Sequence, residues 1–241
     1  MSTKYIKKIY SPDNQKYNVL ILASGFGKRL MPYTQEIPKP LIKLGNLRAI
    51  DYLIEKYGLV ANRFYINIGY IGDLLKFYLK GRYPQHEIIF IDDYNPEGTA
   101  ESFMKAMQIV EPDHPLIFTF CDVLVFDGFE LGKDLLVLNN EKGVYGTYKN
   151  LFVDGELVQN EHTESVFKNG VVGIGVIMHP RDIKTICKAN YDKKKVEFTL
   201  DILGEYNKLH NFKPYYTEDL YEFGETKPYN KTRNFFNENN L

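Results

Sequence analysis

The stretch that most constrains this chain is Val19-Leu20-Ile21-Leu22-Ala23, an unbroken apolar run that stops at Ser24-Gly25-Phe26-Gly27. A short run without alternation fits a strand buried on both faces, as in a parallel sheet. Two glycines and a serine then let the backbone turn sharply and leave its N–H groups open to a ligand. Lys28 and Arg29 follow at once, and Lys39 comes later between Pro38 and Pro40. Proline on both sides stiffens the backbone around that lysine and removes a neighbouring donor. A tight turn alone would account for Gly25 and Gly27. It would need neither the arginine nor the Pro-Lys-Pro. Strand, bare amides and fixed cations together make a site for a polyphosphate.

Two familiar phosphate loops do not fit. The dinucleotide fingerprint needs a third glycine where Leu30 stands. A Walker A loop needs Gly-Lys-Ser/Thr after four intervening residues, and the sequence has no such string. What remains is Gly-x-Gly-x-Arg with Pro-Lys-Pro-Leu downstream. From Leu22 to Leu41 this resembles the signature of the sugar-phosphate nucleotidyltransferases, with Ser24 in place of that family's Gly or Ala.

Composition narrows the alternatives. The 241 residues include 30 Lys+Arg and 31 Asp+Glu, a net charge of -1, so no bulk basicity argues for nucleic acid. Two cysteines, Cys121 and Cys187, imply no disulfide framework and suit a reducing cytosol. Met1 to Lys16 is too polar for a signal peptide, and no apolar run approaches a membrane span. The expectation is a cytoplasmic protein without nucleic-acid or membrane partners, open to homo-oligomer formation. Residues 1–17 read as an N-terminal extension and residues 18–241 as one domain.

After Leu41 the pattern alternates. Helical spacing predicts helices over Ala49–Tyr57, Ile71–Leu79 and Thr99–Val110. Between and after them, Phe64–Ile68, Ile88–Ile91 and Leu116–Phe120 read as strands. The second half predicts strands at Val144–Lys149 and Gly173–Met178 with an Asp154-Gly155 hairpin turn between them. Helices over Pro180–Lys188 and Phe198–Lys208, strands at Phe212–Tyr216 and Leu220–Phe223, and a helix near Thr226–Phe236 complete the reading. A peripheral strand at Tyr5–Tyr10 precedes it all. The fold class is α/β: a Rossmann-like, mostly parallel mixed sheet with helices on both faces. In such sheets ligands bind beyond the carboxyl ends of strands, where both the glycine loop and Asp122 lie.

The resemblance assigns roles residue by residue. Leu22, Ala23, Ser24, Gly25, Phe26, Gly27 and Lys28 would bind nucleotide, with Arg29 and Lys39 as the catalytic cations. Asp122 takes the position of a family metal ligand, although Cys121 replaces the glycine before it. Tyr221-Glu222-Phe223-Gly224-Glu225-Thr226 resembles the stretch carrying the second ligand, with Glu222 where the family has aspartate; the longer side chain leaves direct and water-mediated coordination both open. Asn95-Pro96-Glu97-Gly98-Thr99-Ala100 resembles the loop over base and ribose, through Gly98 and Thr99. Asp93 falls at the base-reading position, the alternative being an aspartate that points to solvent or caps the loop. For the acceptor, Lys168 and Asp201 are the candidates, although Asp201 also reads as a helix N-terminal carboxylate. Lys193-Lys194-Lys195 reads as a solvated run.

The implied reaction is Mg²⁺-dependent transfer of NMP from an NTP to the phosphate of a small phosphorylated metabolite, with release of pyrophosphate. Surface-polysaccharide building blocks are the expected product class. CTP is the expected donor, because an ionised Asp93 only accepts hydrogen bonds and cytosine offers an amino group. The alternatives are a UTP- or GTP-dependent sugar-1-phosphate nucleotidyltransferase and a catalytically silent nucleotide-binding subunit. An NAD-dependent dehydrogenase lacks its third glycine.

Overall fold

A computed structural model describes residues 7, 9–140, 149–160 and 169–238. The apolar run becomes strand β1 (Tyr17–Leu22), all six of whose residues are buried. Its alternate side chains face opposite ways, as pleating demands. Val19 and Ile21 join one core layer with Leu53 and Ile117, and Leu20 and Leu22 join another with Phe103 and Ile183. A strand feeding two cores cannot alternate polar and apolar, hence the unbroken run.

A hairpin of β2 (Lys43–Leu44) and β3 (Leu47–Arg48) follows the glycine loop. Then come α1 (Ala49–Tyr57), β4 (Ala61–Ile68), α2 (Gly72–Arg82), β5 (Ile88–Asp92), α3 (Thr99–Ile109), β6 (Leu116–Phe120), β7 (Val123–Val125) and β8 (Leu135–Asn139). The remaining elements are β9 (Asn150–Val153), β10 (Glu156–Gln159), β11 (Val171–Ile177), α4 (Pro180–Asn190), α5 (Gly204–His210), β12 (Lys213–Thr217), β13 (Leu220–Glu222) and α6 (Thr226–Glu238).

The central sheet has seven strands in the order β12-β8-β11-β6-β1-β4-β5. β1 pairs in parallel with β4 and β6, β4 with β5, and β8 with β12. Only β11 is reversed, antiparallel to both β6 and β8. The α/β reading with a mostly parallel mixed sheet therefore stands. The Asp154-Gly155 turn joins β9 to β10, with both residues at positive φ (50° and 84°). That is the hand a two-residue hairpin turn requires.

Two readings change. β8 is a central strand that the sequence pattern did not single out, since its short apolar run carries no period to separate strand from buried helix. The helix expected over Phe198–Lys208 is a wide π-type turn, Phe198–Leu203, running into the short helix α5. The strand expected at Val144–Lys149 lies outside the described residues but for Lys149. Of the Tyr5–Tyr10 stretch, Lys7, Ile9 and Tyr10 are described. The Lys7 amide donates to the Phe126 carbonyl at 2.9 Å, Ile9 is buried, and Tyr10 bridges to Glu130.

Candidate active site

The parallel strands β1 and β6 end side by side, bonded in register from Asn18–Leu116 to Leu22–Phe120. The next residues, Ser24 onward and Cys121-Asp122, therefore emerge together at one sheet edge. Cys121 is buried and its amide donates to the Leu22 carbonyl at 3.2 Å. It is the packing residue beneath Asp122, its thiol pushed up to about 12 by burial.

The glycine loop has one glycine fixed by sterics and one left open. Gly27 sits at φ 64°, and a Cβ there would approach Thr34 Cγ2 to 2.9 Å. Thr34 Oγ1 donates to the Gly27 carbonyl at 2.8 Å, which locks the turn. A Cβ on Gly25 would meet nothing within 4 Å. Gly25 thus leaves its space to the cleft rather than to packing. Lys28 lies over the Phe26 ring at 5.2 Å.

Lys39 opens a 3-10 turn, Lys39–Leu41, behind an extended Pro38. Its Nζ meets Asp122 Oδ2 at 2.7 Å, with only 15% and 16% of the two side chains exposed. Burial works against the ammonium charge, but the Asp122 carboxylate outweighs it and raises the lysine's pKa. Glu222 arrives by strand pairing: β13 runs antiparallel to β7, Glu222 opposite Val123, and the Phe223 amide donates to the Asp122 carbonyl at 3.1 Å. A Cβ on Gly224 would sit 3.0 Å from Asp122 Oδ2, 3.6 Å from Glu222 Oε1 and 3.9 Å from an Arg29 guanidinium nitrogen. The two carboxylates and the arginine thus surround one point, which a side chain at 224 would crowd on the Asp122 side. Burial first, then Asp122 and Glu225, push the Glu222 carboxyl up to about 7. Two converging carboxylates, one held back from ionising, form an all-oxygen donor set that fits a hard divalent cation such as Mg²⁺. Arg29 is 70% exposed and paired to Glu225 at 2.5 Å.

A cleft of about 510 Å³ joins these groups. Leu22, Ser24, Gly25, Phe26, Arg29, Lys39, Asp122 and Glu222 line it, with Gly98, Thr99 and Ser102 from the start of α3. Ala23 and Asp93 are buried and are not among the lining residues. Asp93 differs most from the expectation of a direct base contact. Its side chain is fully buried. Its Oδ2 accepts from Ser24 Oγ at 2.7 Å and Ser102 Oγ at 2.5 Å, and its Oδ1 from Lys105 Nζ at 2.9 Å. Burial opposes the charge of Asp93, but these three donors outweigh it and hold the carboxyl below its usual range. The two serine partners of Asp93, Ser24 and Ser102, do line the cleft, and their hydroxyls are 3.4 Å apart.

A second cavity, about 760 Å³, shares Gly98, Thr99, Phe120 and Val171 with the first. It is lined by Lys149, Lys193, Lys194 and Lys195, so the run read as merely solvated faces a cavity beside the cleft. Lys168 lies outside the described residues. Asp201 lines neither cavity; its Oδ2 accepts the Glu197 amide at 2.7 Å, which matches the capping alternative. Ser102 and Lys105 carry no motif and are brought to Asp93 by the packing of α3, whereas Glu225, within the stretch read for the second ligand, meets Arg29 only once β13 lies against β7.

The family model for nucleotidyl transferases matches residues 18–141, just over half of the chain. The chain belongs to that family. It is 32% identical over 114 residues to a CTP:phosphoglutamine cytidylyltransferase of Campylobacter jejuni, covering 45% of each chain. It is 29% identical to a mannose-1-phosphate guanyltransferase of Pichia angusta, covering 74% of this chain and 45% of that one. Each match thus spans less than half of the relative's length. The fold is also that of a CTP:phosphocholine cytidylyltransferase from Streptococcus pneumoniae, at a TM-score of 0.74 and 18% identity, covering 92% of this chain and 99% of that one. Among the described residues, no helix is long and apolar enough to cross a membrane.

Proposed function

We propose that this protein transfers CMP from CTP to the phosphate of a small phosphorylated metabolite and releases pyrophosphate. The observation that carries the reading is the convergence of the Gly25 loop, Arg29, Lys39, Asp122 and Glu222 on one cleft. An acceptor phosphate oxygen attacks the α-phosphorus in line, and the bond to the bridging oxygen of the departing pyrophosphate breaks. A phosphate monoester has a second pKa near 6, so the nucleophile is ionised at neutral pH and no general base is required. Catalysis reduces to alignment and charge neutralisation. Lys39 bears on the α-phosphate. Arg29 and the amides of Gly25 to Lys28 hold the β- and γ-phosphates and stabilise the charge that develops on pyrophosphate. Asp122 and Glu222 would hold Mg²⁺, which when bound supplies charge neutralisation at the reacting phosphate.

Asp93 acts through Ser24 and Ser102. An ionised carboxylate only accepts, so both hydroxyl protons are committed to it. The hydroxyls then present only lone pairs to a base lying against Gly98 and Thr99. The cytosine amino group satisfies them, whereas the O4 of uracil or thymine meets acceptor with acceptor. Guanine and adenine also carry amino groups, so CTP is separated from GTP and ATP by the size of the base rather than by these hydroxyls. Of the second cavity's lysines, Lys149 is paired to Glu197 at 2.7 Å, so Lys193 to Lys195 would supply the positive charge for the acceptor's phosphate, on a wall that also carries Glu97 and Glu101. The product is a CDP-linked small molecule of the kind used to build surface polysaccharide in the cytoplasm.

A pyrophosphate-release assay with each of the four NTPs against a panel of phosphorylated acceptors tests this reading. The expected result is acceptor-dependent release greatest with CTP. Equal release with CTP and UTP would remove the cytidylyl assignment. No release with any pair, despite nucleotide binding, would leave a silent nucleotide-binding subunit.

A further inference from the structure

Away from the nucleotide cleft, Asp134, His179 and His210 bring a carboxylate oxygen and two imidazole nitrogens within 4.8 Å of one another. None of the three serves the reaction above. Asp134 immediately precedes β8, His179 immediately precedes α4, and His210 ends α5. The sheet register locates them. Val176 of β11 pairs with Leu135 on one side and with Ile117 on the other. Asp134 is therefore level with the start of β6, whereas Asp122 follows its end. The cluster lies at the opposite edge of the sheet from the phosphate loop.

The surroundings of the cluster are built rather than loose. Asp134 Oδ1 accepts from the Met178 amide at 2.8 Å and from the Tyr206 hydroxyl at 2.5 Å. That hydroxyl in turn accepts from the His179 amide at 3.1 Å. Asp134 Oδ2 faces His179 Nε2 at 3.9 Å, too far for a hydrogen bond. His210 Nε2 is held by Asp182 Oδ2 at 2.9 Å, which leaves its Nδ1 for another partner. The two imidazole rings stack at 4.1 Å and 13°, so their in-plane lone pairs run side by side and one ring must turn out of the stack before both can meet one ion.

We propose that Asp134 Oδ2, a ring nitrogen of His179 and Nδ1 of His210 form a second metal site, for a borderline divalent ion of the Zn²⁺ type. Two imidazoles and one carboxylate suit Zn²⁺, Co²⁺ or Ni²⁺, whereas Mg²⁺ takes oxygen donors. Metal-bound histidine ordinarily gives its other ring nitrogen to a carboxylate, which is the relation of His210 to Asp182. With Zn–N bonds of about 2.0–2.1 Å, the donors must draw together by roughly an ångström. Asp134 is pinned, with 10% of its side chain exposed, so His179, at 54%, is the ligand that turns. The bound ion would tie the start of β8 to α4 and α5. It has no part in nucleotidyl transfer.

The test uses the full chain, stripped with a chelator and kept in excess Mg²⁺ so that oxygen-only sites are filled. Zn²⁺ is titrated by calorimetry against a competing chelator, and Co²⁺ by its visible absorption. The expected result is one equivalent bound, with a strong Co²⁺ band of low coordination number. His179→Ala and His210→Ala should each weaken binding at least 100-fold, and Asp182→Asn about 10- to 100-fold. All three should keep Mg²⁺-dependent pyrophosphate release. His179 is half exposed, so its variant folds and decides the matter even where His210→Ala does not. Zn²⁺ binding of equal strength in wild type and His179→Ala, or no stoichiometric binding in wild type, would overturn the proposal.

Discussion

Asp93→Asn separates a base-selecting role of Asp93 from a merely structural one. The wild-type carboxylate accepts from Ser24, Ser102 and Lys105, all within 2.9 Å. An asparagine keeps one acceptor and adds one donor. With its oxygen toward the serines, its NH₂ meets the Lys105 ammonium, donor against donor. With its NH₂ toward the serines, the hydroxyls accept from it and turn their protons into the cleft. Lys105 is 37% exposed and moves away from a misplaced amide at little cost, so both orientations are populated. Two charge-assisted bonds, each about 1.5–3 kcal/mol, become neutral ones of about 0.5–1.5 kcal/mol, so stability falls by about 2–3 kcal/mol. A mispaired buried polar group costs about 1–3 kcal/mol, or roughly 5- to 150-fold in kcat/KM. The kcat/KM ratio of CTP to UTP should fall by that factor, mainly through a gain with UTP. The assay is pyrophosphate release at limiting nucleotide, paired with a thermal melt. A lowered Tm with an unchanged CTP/UTP ratio would refute the reasoning and leave Asp93 a structural anchor.

Three further outcomes follow from the phosphate end. Asp122→Asn should keep the fold and lose at least 100-fold in turnover, read at limiting Mg²⁺; near-wild-type turnover would end its assignment to the metal. Arg29→Ala should lower kcat about 10- to 100-fold, less than a fully enclosed donor because the arginine is 70% exposed; a rise in KM for CTP at constant kcat would make it a ground-state binder. Glu222 gives a pH signature. Its folded carboxyl, raised to about 7, binds a proton that the unfolded chain has already released, so stability without metal falls as pH rises from about 4.5 to 7. The loss is on the order of 3 kcal/mol, read as the urea midpoint at pH 5 and pH 8 in chelator. Glu222→Gln should flatten that slope, and an equal slope in the variant would refute the assignment.

The glycine-loop end of the cleft was legible because its determinants are local. An unbroken apolar run, Gly27 at positive φ and the Pro-Lys-Pro around Lys39 each act within a few residues of chain. Asp122 was legible because it follows the end of a buried strand. The base end was not. Asp93 occupies the expected loop, but its partners come from the glycine loop after β1 and from inside α3, and only the docking of that helix makes Ser102 one of them. The pairing of Arg29 with Glu225 is equally a product of the fold, since β13 must first lie against β7. β8 escaped because a run of four apolar residues buried on both sides carries no period. Lys193 to Lys195 are exposed, as a solvated run requires, and their place along a cavity was not legible because a charge run has the same pattern in either setting.

The central claim is transfer of a nucleotidyl group to an acceptor phosphate, and single-turnover transfer of label tests it most directly. Enzyme in excess is mixed with CTP labelled at the α-phosphorus, Mg²⁺ and a phosphorylated acceptor. Label should pass into a CDP-linked product at the rate at which pyrophosphate appears, one for one, and only when the acceptor is present. Label remaining in CTP with every acceptor, or appearing as free CMP without one, would contradict the account.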